Sequence, residues 1–162
     1  MPEKTISFTG TSVSLEYGNN RSGPILEFLC RHMPVSSERK KPRNPTYSIK
    51  TGLKGNFFLY KEQNLIYRGK EEGIFAEVLL SRICHDLADK SRGGLLFHAA
   101  ALIRKNEGIL FPGKIGAGKT TLALWLALRG YFYLTDELAL IGKGENVMHA
   151  LKRPLNLKKP SR

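Results

Sequence analysis

Ten consecutive residues constrain this chain more than any other part of it: Pro112-Gly113-Lys114-Ile115-Gly116-Ala117-Gly118-Lys119-Thr120-Thr121. Gly113, Gly118, Lys119 and Thr120 satisfy the G-x-x-x-x-G-K-[ST] pattern of a Walker A sequence. A chain of this composition would produce that pattern by chance only about 0.016 times. An apolar run from Gly108 to Phe111 precedes it, and a helical run from Thr120 to Arg129, stopped by Gly130, follows it. In a strand–loop–helix of this kind the glycines let the backbone turn tightly enough for successive N–H groups to point inward, and the helix adds the positive end of its dipole. Phosphate is the natural guest. Gly113, Gly116, Ala117, Gly118, Lys119, Thr120 and Thr121 are therefore the candidate phosphate-cradling residues. Lys119 would act as a mobile charge for the β- and γ-phosphates and the Thr120 hydroxyl as a magnesium ligand.

Beyond the helix, Tyr131-Phe132-Tyr133-Leu134-Thr135 reads as a β-prone run that ends in two acids, Asp136 and Glu137. Beside a phosphate loop, a second strand of this kind delivers a carboxylate to the magnesium or to the attacking nucleophile. Asp136 is the leading candidate. Its neighbour Glu137 could join it at the metal, or accept a proton from a hydroxyl substrate. The competing reading is that the two acids merely end the strand and start a turn before Leu138 to Ile141. His98, between Leu95-Leu96-Phe97 and Ala99-Ala100-Ala101, is either a core histidine or an active-site group. Trp125, among Leu122, Leu124, Leu126 and Leu128, reads as core packing.

The 162 residues are enough for one domain, or for one domain with a small extra lobe. Their formal charge of +12 points to an anionic partner, but the charge is unevenly placed: +6 falls in residues 31–54, +5 in residues 143–162 and only +2 in residues 55–142. Neither the Arg39-Lys40-Lys41-Pro42-Arg43 run nor the tail of Lys152, Arg153, Lys158, Lys159 and Arg162 interleaves the aromatic residues of a nucleic-acid platform. Solvated loops are the favoured reading of both, and nucleic-acid binding the alternative. Residues 1–10 lack a secretory apolar stretch, and the longest apolar run, Leu122 to Leu128, is too short to cross a bilayer. The expected location is the cytoplasm, without membrane association. Cys30 and Cys84 have no metal-ligand spacing and read as reduced core thiols.

The first half carries no recognisable chemistry. Ile6/Phe8 and Val13/Leu15/Tyr17 alternate as a hairpin about Gly10-Thr11-Ser12. Pro24 suits a first helical position, with Ile25, Leu26, Phe28, Leu29 and Met33 on the apolar face and Pro34 as the stop. Residues 34–46 read as an exposed linker. Phe57 to Tyr60 and Leu65 to Tyr67 predict a second hairpin, and Glu71 to Lys90 a helix with Phe75, Val78, Leu79, Ile83 and Leu87 inward.

From His98 to Lys158, about 60 of the 162 residues, the chain resembles the C-terminal catalytic domain of the HPr serine kinase/phosphorylase family. The resemblance rests on the histidine-bearing strand, the GKIGAGKT loop, the LALWLALRGYFYLTDE stretch and the later RPLNLK segment. It implies an α/β fold: residues 93–162 as a P-loop core similar to HPr kinase and phosphoenolpyruvate carboxykinase, and residues 1–92 as a small α+β lobe. It also implies ATP or GTP with magnesium as cofactors, a serine or other hydroxyl of a protein or small molecule as phosphate acceptor, and homo-oligomer contacts. Carried onto this chain, Lys119 and Thr120 hold phosphate and magnesium, Asp136 is the catalytic base, Glu137 assists at the metal, and His98 lies at or near the active site. Two residues depart from the family pattern, Ile115 for serine and Glu137 for aspartate. The family domain continues beyond the segment matching Arg153-Pro154-Leu155-Asn156-Leu157-Lys158, so the core is expected to be incomplete. The alternative function is a nucleotide-binding module without turnover, a sensor or assembly partner such as accompanies peptide-modification systems.

Overall fold

The computed structural model describes residues 1–18, 21–35 and 45–154. The basic run at 39–43 and the tail from 155 onward lie outside the described residues. Within them the protein is mixed α/β, with two sheets and three helices, and it divides into two compact units, Met1–Ser91 and Arg92–Arg162.

The first unit is a five-stranded sheet in sequential order. It comprises β1 (Glu3–Phe8), β2 (Thr11–Tyr17), β3 (Tyr47–Thr51), β4 (Phe57–Lys61) and β5 (Asn64–Gly69), with α1 (Ser22–Cys30) and α2 (Glu72–Lys90). Only β2 and β3 pair in parallel, and α1 lies on the crossover between them. Both expected hairpins form, but the first turns at Thr9-Gly10 (φ 41° and 78°), one step earlier than the alternation predicts. The second turns at Glu62-Gln63, both with positive φ, the backbone of a two-residue turn whose twist suits the flanking strands. Helix α1 starts two residues before Pro24 and ends at Cys30, short of Pro34. The proline is tolerated because the first-turn N–H groups have no intrahelical partner to lose. Strand β3 follows the proline-rich stretch and carries no periodicity long enough to announce it.

Phe75 of α2 anchors this unit's core. It is fully buried and stacks on Phe57 with ring centroids 4.6 Å apart, beside Tyr67. One polar cluster interrupts the apolar interior. Buried Asp86 accepts hydrogen bonds from the Tyr47 hydroxyl (2.7 Å) and the Lys61 ammonium (2.6 Å). Burial alone would push the Asp86 carboxyl up, but the bonds from Lys61 and Tyr47 more than reverse this, so it titrates below its ordinary range. The unfolded chain therefore takes up this proton at higher pH than the folded one. The stability Asp86 contributes is complete above the ordinary carboxyl range and is lost as pH falls through the depressed value. The thermal midpoint should drop steeply below about pH 4, and Asp86→Asn should show a shallower acid limb. Equal slopes in melts recorded across that range would refute this.

The second unit is built on one long strand, β6 (Gly94–Arg104). Its C-terminal half pairs with β7 (Glu107–Pro112) through a hairpin turning at Lys105-Asn106. Across residues 101–103 it also pairs with β8 (Phe132–Thr135), and across 94–98 with β9 (Leu138–Gly142), which in turn pairs with β10 (Met148–Ala150). Strands β8 and β9 thus lie end to end along one edge of β6, interrupted only at Asp136-Glu137. Both β7 and β8 run antiparallel to β6 on its opposite edges, so they run in the same direction and end at the same level, near Ala99 to Ala101. Helix α3 (Lys119–Ala127) packs Ala123 and Leu126 onto Ala100 and Leu102, where the small alanines admit the helix closely.

The opposite face of α3 is apolar yet exposed. Trp125 is 50% exposed, which corrects its assignment to the core. Periodicity could not assign it because α3 is apolar on nearly every side, so no hydrophobic stripe marks an inward face. The Arg129 guanidinium lies 3.7 Å from the Trp125 ring centroid and covers part of the ring. Truncation by Trp125→Ala should therefore cost less than about 1 kcal/mol, well below the cost of deleting a buried aromatic. Urea melts of the two proteins check this directly.

Candidate functional site

The common end of β7 and β8 is where the sequence candidates meet. The chain leaves β7 at Pro112, crosses the 113–118 loop and enters α3 at Lys119, one residue earlier than expected. Gly116 (φ 84°) and Gly118 (φ 81°) both adopt the left-handed conformation. Nothing lies within 4 Å of a β-carbon built on either, so these two positions call for glycine by backbone conformation and not by space. Gly118 is also the N-cap residue of α3 and provides no side-chain cap, so the first-turn N–H groups of the helix are left to a ligand or to water. Thr121 sits exposed on that first turn, beside Thr120. The Lys119 ammonium folds back over the loop and donates to the carbonyls of Gly113 (2.8 Å) and Lys114 (3.0 Å).

Across from the loop, Asp136 is 4% exposed and its carboxylate collects three donors. The Thr120 hydroxyl donates to Oδ2 at 2.8 Å, the Tyr133 hydroxyl to Oδ1 at 2.9 Å, and an Arg153 terminal nitrogen lies 3.2 Å from Oδ1. Burial, followed by the Asp136 charge and its hydrogen bond, raises the Tyr133 pKa far above its ordinary value, so its phenol stays a donor. Glu137 turns toward the same arginine, with its Oε2 at 2.7 Å from it. The His98 Nε2 lies 3.9 Å from Glu137 Oε1, near but beyond hydrogen-bond distance. Thus Lys119, Thr120, Asp136, Glu137 and His98 converge on one end of the sheet.

Three further residues belong to this cluster, and none was singled out for the site from sequence. Tyr133 reads there as one more apolar strand residue. Arg153 enters there as tail charge and as the first residue of the RPLNLK segment, with no role at the site; the structure corrects the solvated-tail reading, for its side chain is 11% exposed and lies against both acids. Thr135 is fully buried. Its hydroxyl donates to the Leu151 carbonyl (2.8 Å) and accepts from the Glu137 N–H (3.1 Å), tying the segment after β10 to the corner that carries the acids. The Leu151 N–H bonds the Leu138 carbonyl from the same segment. The one sequence signal for Arg153 beyond its charge is its place in the RPLNLK segment, which has no spacing rule linking it to Asp136.

Among the described residues no group of three or more His, Cys, Asp or Glu side chains could hold a metal by itself. Magnesium does not need one when phosphate oxygens and water complete its shell, and one or two protein oxygens suffice. The Thr120 hydroxyl, with its hydrogen committed to Asp136 and its lone pairs free, fits that requirement, with Asp136 and Glu137 adjacent. Among the described residues no helix is long and apolar enough to cross a membrane. Compared with protein-family models, curated proteins and solved structures, the chain matches none of them.

Proposed function

We propose that the chain binds a nucleoside triphosphate with magnesium at the 113–121 loop, as a P-loop protein. More particularly, we propose that it is an HPr-kinase-like phosphotransferase acting on a hydroxyl of a protein or small molecule. The observation that carries this reading is the 2.8 Å hydrogen bond from Thr120 to Asp136, which joins the first helical turn after the glycine loop to the acid just after β8, the strand on the other edge of β6. Nothing in the local sequence requires those two side chains to meet. Together with a lysine held over the loop, they make up the parts that phosphoryl transfer requires.

In this reading the backbone N–H groups of Gly116 and of Gly118 to Thr121 cradle the phosphates, while the Ala117 N–H stays bonded to the Lys114 carbonyl (3.2 Å). Lys119 exchanges its two carbonyl partners for phosphate oxygens. Thr120, with Asp136 and Glu137 nearby, would hold the magnesium, which would supply charge neutralisation at the phosphates. The acceptor oxygen bonds to the γ-phosphorus as the bond from that phosphorus to the β–γ bridging oxygen breaks, the diphosphate leaves, and the hydroxyl proton passes to the acid pair. Asp136 is the base expected from sequence; His98 stands beside Glu137 at the edge of the pair. The rate enhancement would come from positioning and charge neutralisation.

A second reading, nucleotide binding without turnover, is favoured by one observation. Both Asp136 oxygens already receive donors, and Arg153 spans both acids. The two readings share a first test. Lys119→Ala should weaken magnesium–ATP binding by about 100-fold in calorimetric titration, because a charge-assisted contact to phosphate is lost. Undiminished affinity would remove both. Transfer of labelled phosphate from ATP to a protein or small hydroxyl compound separates them.

A further inference from the structure

The basic residue that the sequence places in a tail is the most tightly held cation of the site, and its position has a consequence for metal binding. Arg153 reaches Asp136 at 3.2 Å and Glu137 at 2.7 Å through one terminal nitrogen, while its Nε is buried with no hydrogen-bond partner among the described residues. An arginine placed for packing or for a stable fork would satisfy that N–H. Here the guanidinium is held by charge at one end and left unsatisfied at the other. The chain two residues earlier is tied to the strand corner independently, by the bonds of Leu151 to Thr135 and Leu138, so the Arg153 side chain can change partners without unseating that corner.

We infer that Arg153 is an exchangeable counter-cation of the acid pair, which keeps bare divalent metal off Asp136 and Glu137 and lets the metal enter only together with the phosphates of the nucleotide. This rests on the phosphate-loop reading above. Without the nucleotide, a divalent ion arriving at the two carboxylates meets a resident positive charge within a few ångströms. With the nucleotide bound, the phosphates supply the negative charge that offsets the arginine and offer it a new acceptor. Metal and nucleotide binding are then coupled, each raising the affinity for the other by the same factor.

The test uses manganese as the probe metal and the full chain, with free manganese followed by its paramagnetic resonance signal. In the absence of nucleotide, Arg153→Gln should bind manganese about tenfold more tightly than the unaltered chain, the effect of removing one charge near a dication at intermediate screening. In the presence of a non-hydrolysable ATP analogue the gain should shrink below about threefold, so the coupling falls. Unchanged or weaker nucleotide-free manganese binding by a folded Arg153→Gln protein overturns the proposal. If that variant does not melt cooperatively, Arg153→Lys replaces it, because a shorter ammonium releases one of the two carboxylates. A gain of about threefold is then expected, and no gain overturns the proposal. The unaltered chain keeps the two readings apart. If it binds manganese with the analogue in a Lys119-dependent way while the Arg153 variants change nothing, only the counter-cation role falls. If it binds no nucleotide, the phosphate-loop reading falls first.

Discussion

Asp136→Asn is expected to lower phosphoryl transfer by about 1000-fold while leaving nucleotide affinity within a few-fold of the unaltered chain. The amide keeps the size of the carboxylate and one acceptor oxygen, so it can still accept from Thr120, at the oxygen position that bond now uses, while Tyr133, which donates to the other oxygen, loses its acceptor. It loses the negative charge that would steady the magnesium and receive a proton. In the proposed function affinity would be carried mainly by the loop backbone and by Lys119, which lies over the Gly113 and Lys114 carbonyls and makes no bond to Asp136. Single-turnover kinetics with labelled ATP, set beside calorimetric affinity, check the two halves separately. A parallel loss of affinity would mean that Asp136 serves chiefly to hold the loop and Thr120 in place. Glu137→Gln, at the more exposed acid, gives the comparison that locates the base.

The largest stability effect is expected at Phe75→Ala, about 3–5 kcal/mol. Phe75 is fully buried between Phe57 and Tyr67, and truncation removes both apolar burial and the 4.6 Å stack while leaving a cavity that the sheet on one side and the helix on the other cannot readily close. Phe75→Leu should recover more than half of the loss, because most of the volume returns without the ring contact. Denaturant titrations report the change as a shifted midpoint. The slope should stay constant if the first unit unfolds as one body.

Several parts of this architecture could be read in the sequence because their causes are local. The 113–121 loop is one: its glycines at positive φ, its lysine and its threonine lie within one short segment, and the pattern names both the strand before it and the helix after it. Helix α2 is another, since Phe75, Leu79, Ile83 and Leu87 recur at helical spacing and all four are buried. The first hairpin follows from period-two alternation, with an error of one residue at the Thr9-Gly10 turn, and the second from the two short apolar runs on either side of residues 61–64. For Asp136 and Glu137 the two sequence readings prove compatible. The acids do break the strand, between β8 and β9, and the same break turns them toward Thr120 and Arg153.

What the sequence by itself determined is therefore which groups stand at each point: a glycine-rich loop with a lysine and a threonine, an acid pair, and a histidine on an apolar strand. Only the tertiary structure decided which of these meet. Thr120 reaches Asp136 because β7 and β8 flank β6 and end at one level, a consequence of pairing between segments far apart in the chain. Arg153 reaches the acids because β10 and the Thr135 hydroxyl bring back a segment that sequence assigns to the solvent. Trp125 lies outside because α3 is apolar all round and the sheet has room for one face of it. Local periodicity reports which residues share a face of one element. Which element that face meets is set by long-range pairing and packing, and these leave no period in the chain.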